Sequence, residues 1–173
     1  MQHENVYQRI LLSQDVSDYL NIRDVNCIEN VGIPSIIIPL SGNFYKVVSP
    51  YFIDNKQKVV IAETTNSHSP HFLIIDIKEG SVMNQWNFKE GVKVVFVNSD
   101  ISKLIASNRV YEQVVRKMII EKSLGAYYEN TPQGGYFEKY SQLLKEIISC
   151  IDEKAANEGV WHSLILEMSM GVI

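Results

Sequence analysis

The chain is poor in the residues around which small secreted or metal-built proteins are organised. Only two of its 173 residues are cysteine, Cys27 and Cys150. They stand far apart and in no metal-binding spacing, which excludes a disulfide or zinc scaffold and leaves two buried free thiols as the expectation. No apolar run approaches the roughly 20 residues that span a bilayer, so no membrane segment is expected. The amino end, Met1-Gln2-His3-Glu4-Asn5, lacks the basic start and apolar core of a secretory leader, and a cytoplasmic protein is the resulting expectation. Positive charge is scarce too. Sixteen Lys and Arg against 20 Asp and Glu give a net charge of -4, the wrong sign for a nucleic-acid surface. Absent as well are a Gly-x-Ser-x-Gly elbow, a phosphate-binding Gly-Lys-Ser/Thr loop and a His-Glu-x-x-His pair. The hydrolase, nucleotide-phosphatase and zinc-protease classes they mark go with them.

What is present is ordinary globular composition, 46% hydrophobic and 21% charged, enough for one domain over residues 1–173 with a core of its own. Its most ordered stretch lies between residues 59 and 97. Four apolar runs follow one another there, at 59–61, 72–75, 82–88 and 92–97, each rich in β-branched and aromatic residues. In the third, Val82, Trp86 and Phe88 alternate with Ser81, Met83, Gln85 and Asn87, the period of a sheet wet on one face. The connections at 66–70, 78–80 and 89–91 are too short for the crossover that parallel strands need. They predict an antiparallel β-meander.

On either side the pattern turns helical. Residues 6–20 read as a helix in one or two pieces, with Ser13 able to cap the second. Gly32 and Pro34 stop it, residues 36–38 read as a short strand ended by Pro39, and 40–50 as irregular or edge structure. After the meander, Ile101, Leu104, Ile105, Tyr111, Val115 and Met118 predict a helix capped by Ser99 or Asp100 and ending near Lys122. Residues 124–136 hold Gly125, Pro132, Gly134 and Gly135 and predict a loop. A second helix is expected from Phe137 to Ile151, and a third, shorter one around Trp161, Leu164, Ile165 and Met168, ending at Gly171. The fold class is therefore α+β, a meander sheet with an N-terminal helix and C-terminal helices packed on it.

Chemistry is hard to place on this frame. His68 and His71 could share a metal, although no third ligand lies near them in sequence. His162 beside Trp161 reads as a hydrogen-bonded helix residue. Asp152-Glu153 and Asp76 with Glu79 are paired carboxylates by sequence, with nothing in the sequence to bury them as a catalytic acid requires. The long loop offers more. Tyr127, Tyr128, Asn130, Gln133 and Tyr136 combine broad amphipathic contact area with adaptable neighbours, as a recognition surface does. The same tyrosines could instead cover the ends of the two flanking helices.

Four stretches, in this order, resemble those of the SUKH superfamily, and most of all its fourth subgroup of bacterial immunity proteins. They are Gly32-Ile33-Pro34, a Gly-hydrophobic-Pro step; Ile75-Asp76-Ile77-Lys78-Glu79-Gly80-Ser81-Val82, a strand-turn-Gly-x-Val hairpin; Val97-Asn98-Ser99-Asp100-Ile101, a strand-to-helix junction; and Asp152-Glu153-Lys154-Ala155 followed by Trp161 and 164–168. Together they cover about residues 30–170. Glu153 stands where that family has proline, and Leu104 where its junction helix has an aromatic residue.

The resemblance implies an α+β domain that binds a cognate secreted toxin, often a nuclease, in the cytosol of the producing cell. It implies no catalytic residue, no cofactor and no metal. The expected partner is thus a toxin protein, with neither nucleic acid nor membrane, and the chain itself a monomer or weak dimer. The residues expected to touch the toxin are Tyr127, Tyr128, Glu129 and Tyr136, with the exposed acids Glu79 and Glu63 in support. The acidic residues 124–173, net -4, would favour a basic partner. Two other readings stand beside this one: an intracellular regulatory adaptor of the same fold, and a small-molecule or metal-dependent enzyme using His68 and His71.

Overall fold

The apolar runs pair as their short connections require. The computed structural model describes residues 6–36, 45–64, 71–88, 90–123 and 135–172. Its main sheet has five strands, β3 (Tyr45–Ile53), β4 (Lys58–Thr64), β5 (His71–Asp76), β6 (Val82–Phe88) and β7 (Gly91–Asn98), side by side in chain order and all antiparallel. The meander is as expected, with one strand more. Residues 45–50, expected to be irregular or edge structure, belong to the nine-residue β3. Its proline reads as a breaker in the sequence. At a sheet edge, however, Pro50 leaves no central ladder bond unmade, and the register shifts between Val47 and Tyr51 accommodate it.

Pairing register decides which side chains go inward. Phe52, Val59, Ile75 and Val82 lie in one row, and Val47, Ala62, Leu73 and Asn84 in the next. These rows face the helices, and all of the residues except Phe52 are buried. The opposite face carries Lys46, Glu63, Phe72, Gln85 and Val94 in a row.

The amino-terminal residues depart from their helical spacing. A two-residue strand, β1 (Tyr7–Gln8), pairs antiparallel with β2 (Ile33–Pro34), and only one helical turn, α1 (Gln14–Ser17), follows. Ser13 precedes it but makes no side-chain cap bond. Gly32 explains the outcome. Its φ is +96°, and a Cβ there would stand 2.9 Å from the carbonyl carbon of Gln8. The close approach that only glycine permits draws residues 7 and 8 into a ladder, and tertiary pairing overrides local periodicity. Next come α2 (Ile22–Asn26), whose cap Asn21 accepts from the Asp24 N–H at 2.8 Å, and a π-helical turn, Cys27–Val31.

Among the described residues four helices follow the sheet: α3 (Ile101–Ser123), α4 (Tyr136–Ile151), α5 (Glu153–Asn157) and α6 (Gly159–Ser169). Leu104 of α3, Tyr140, Leu144 and Ile148 of α4, and Trp161 and Met168 of α6 are fully buried in the core beside Leu73 and Ile75 of the sheet. The short α5 has no apolar repeat to announce it. It exists because Asp152 ends α4 and caps the next turn, accepting from the Ala155 N–H. Cys150 is exposed and Cys27 half-buried, and both are free, so the expected burial of the two thiols is corrected. Among the described residues no helix is long and apolar enough to cross a membrane.

A buried polar knot fixes the helices on the sheet. Asp152, 2% exposed, accepts from the Ser99 N–H (2.7 Å), the Ser99 hydroxyl (2.8 Å) and the Asn98 amide (3.1 Å). The Asn98 amide also reaches Ser107 Oγ at 3.3 Å, and its oxygen accepts from the Trp161 indole N–H at 2.8 Å. The end of β7 and helices α3, α5 and α6 are thereby tied at one point. The sequence reading found nothing to bury Asp152, and the structure corrects it: five donors surround a carboxylate pair of oxygens and their amide neighbour.

Candidate functional site

Of the residues expected to touch a partner, the three that are described, Tyr136, Glu63 and Glu79, do not share one surface. Tyr127, Tyr128 and Glu129 lie outside the described residues, as does His68. Tyr136 opens α4 and is 6% exposed, its ring edge-on to Phe137 and Tyr140 at 5.4 and 5.3 Å and its hydroxyl donating to the Met118 carbonyl. It is a core residue joining α4 to α3, which corrects its expected place on a contact surface. Tyr136→Phe should cost about 1 kcal/mol, the value of one such hydrogen bond. In a chain of this size that lowers the melting temperature by roughly 2–4 °C. A thermal melt checks it, and an unchanged melt would put that hydroxyl in water.

Glu63 and Glu79 stand at opposite ends of the sheet. Glu63 lies on β4 opposite Phe72 and accepts from the Tyr51 hydroxyl at 2.7 Å. Burial, with the Glu63 carboxylate beside it, pushes the Tyr51 phenol up to about 12. Glu79 belongs to the turn after β5, whose first residue, Asp76, faces Lys58. Five residues of β4 separate the two places, roughly 17 Å along a strand.

The Glu79 turn has a local logic. Asp76 Oδ1 accepts from the N–H groups of Lys78 and Glu79, both at 3.0 Å, and the Asp76 carbonyl accepts from the Gly80 N–H at 2.8 Å. An aspartate followed by a tight turn with glycine at φ +70° is the expected chemistry for this hairpin. Glu79 itself is exposed and reaches Lys78 at 3.3 Å. Against the turn lies a cavity of about 220 Å3, closed on its other side by Tyr19, Leu20, Asn21 and Asp24. Asp24 is fully buried, accepts from the Ile101 N–H at 3.1 Å and from the Asn21 amide, and so joins α2 to the start of α3. Burial, with Asp100 nearby, pushes the Asp24 carboxyl up against the pull of those two hydrogen bonds. Neither Asn21 nor Asp24 was expected at a site, yet Asn21-x-x-Asp24 has the spacing of a reciprocal helix cap and could have been read as one.

Among the described residues this wall holds carboxylates and one lysine, and no Ser, Cys or His. It can donate and accept hydrogen bonds, but it sets up no nucleophile beside a base. His71 lies on β5 against the Trp86 ring at 5.4 Å, with burial holding its imidazole below the usual range. Among the described residues no three His, Cys, Asp or Glu side chains gather where they could hold a metal ion. His162 lines a groove of about 340 Å3 between α4 and α6, with its Nδ1 at 3.3 Å from the Ala156 carbonyl. What the surface offers is recognition chemistry: the exposed Glu79 carboxylate at the turn, and an apolar hairpin at the far end of the sheet where Phe88, Val92 and Val94 are exposed. No protein-family model, curated protein or solved structure matches the chain.

Proposed function

We propose that the chain is an immunity protein, which binds a cognate bacterial toxin in the cytosol of the producing cell and neutralises it by direct contact. One observation carries this reading. Two of the four stretches by which the sequence resembles SUKH immunity proteins, the Asn98-Ser99 junction and the Asp152-x-x-Ala155 step with Trp161, meet in a single buried knot. Residues far apart in sequence thus share one structural task, which chance likeness of short motifs does not require. The Gly32 and Gly80 stretches supply a close approach and a turn of the kind glycine serves. The excess of acid in residues 124–173 gives a basic toxin a complementary field, which speeds encounter, while a few well-packed anchors slow release.

The test is co-expression with the product of the reading frame directly upstream. The expected result is relief of that product's toxicity and a stoichiometric complex on gel filtration. A neighbour that is harmless alone and fails to co-purify would overturn the reading.

A further inference from the structure

The two edges of the main sheet are protected unequally. β3 carries Pro50, which has no N–H to offer, and its register breaks between Val47 and Tyr51. Both devices discourage a strand from adding there. The first half of β7 has neither. Residues 91–95 pair one for one with β6, from Gly91 opposite Phe88 to Val95 opposite Asn84, and residues 91–94 are exposed. Past Val95 the edge is closed by α5 and α6, with Gly159 seated against the Phe96 carbonyl. Among the described residues nothing pairs with the outer main-chain groups of 91–95. An edge strand turns the N–H and C=O of alternate residues outward, so this half of β7 is a template for one more strand.

Its side chains say which strand. Val92 and Val94, 63% and 37% exposed, lie on one face. On the other, the Lys93 ammonium sits 4.9 Å from the Trp86 ring centroid, with Phe88 edge-on to the same ring. Among the described residues no carboxylate pairs with Lys93. A second copy of this chain fits poorly. In a two-fold antiparallel pair, residues of like hydrogen-bonding direction must oppose, and the register that overlaps 91–95 most fully sets Lys93 against itself. A carboxylate opposite Lys93 removes that conflict.

We propose that the open half of β7 takes up an extended segment of another protein, antiparallel, with an acidic residue opposite Lys93 and apolar residues opposite Val92 and Val94. The main chain supplies the affinity and this apolar–acidic–apolar pattern the selectivity. The surface does not require that partner to be a toxin.

A disulfide-closed hairpin peptide whose free strand reads Thr-Val-Glu-Val-Thr tests it, alongside a twin with Lys in place of Glu. Both are titrated into the 15N-labelled protein. The Glu peptide should shift the amide signals of residues 91–95, slow their exchange and bind about fivefold more tightly than its twin. Lys93→Glu, a surface change, should reverse that preference. Silence of these amides at millimolar peptide would overturn the proposal, and so would equal binding of the two peptides. Shifts that follow protein concentration alone, without peptide, would overturn it in favour of a second copy.

Discussion

Asp152→Ala is expected to cost about 3 kcal/mol at neutral pH, because it leaves several buried donors without an acceptor. In a chain of this length that lowers the melting temperature by roughly 6–12 °C. The carboxylate is almost fully buried and accepts from Ser99 twice, from Asn98 and from Ala155. Asn98 would stay in place, with Trp161 still donating to its oxygen and Ser107 still accepting from its amide, so the N–H that loses Asp152 could not turn away freely. The pH dependence has a definite sign. Burial works to raise the Asp152 carboxyl, but the bonds from Ser99, Asn98 and Ala155 outweigh it and hold the group below the ordinary aspartate value. The folded chain therefore binds fewer protons than the unfolded one in that range, and the stabilisation is complete above about pH 4 and lost as the pH falls through the folded value. Urea unfolding at pH 7 and pH 3 should accordingly show a wide gap between wild type and variant that narrows on acidification. A cost below about 1 kcal/mol, unchanged with pH, would mean that water already serves those donors.

That knot also marks the boundary of what could be read in the sequence. β-branched runs with three- to five-residue gaps are a local signal, and they located β5 to β7 within one residue and β4 to within three, its run stopping at Ile61 where the strand goes on to Thr64. The repeat through Ile101, Leu104 and Ile105 likewise located α3. Asp152 carried no such signal. Its burial depends on donors 53 positions away in the chain, and only the Asp-x-x-Ala cap spacing is visible nearby. The same reason explains β3 and β1. Pro50 is harmless only because β3 lies at an edge, and residues 7 and 8 leave their helical spacing only because Gly32 lets a second strand come close.

The candidate contact residues divide along the same line. Tyr136 has the composition of a paratope residue, but its position one turn before Tyr140 and two before Leu144 places it on the inner face of α4. The features that do mark an open surface, Lys93 over Trp86 and the bare edge of β7, arise from pairing between strands. Alternation alone assigns Trp86 to one face of β6; it says nothing of which residue of β7 lies across from it.

Gly159→Ala is the second large loss expected, at about 3 kcal/mol or more. Gly159 has φ +74°, and a Cβ there would overlap the carbonyl oxygen of Phe96. The left-handed backbone alone costs a side chain about 1 kcal/mol. The overlap adds more, since neither partner is a flexible side chain: one is the first residue of α6 and the other a strand carbonyl. Relief requires α6 to lift from β7, and Trp161, two residues further on, would be drawn from Asn98 with it. Gly80→Ala separates the two contributions. Its φ is +70° as well, but the nearest atom to a Cβ is the Asn21 amide nitrogen at 3.7 Å, so strain alone should act, near 1 kcal/mol. Urea unfolding of the pair decides the matter. Equal losses would mean that α6 slides along the strand at little cost, and the point where the helices close the edge of β7 would then be set by something other than this contact.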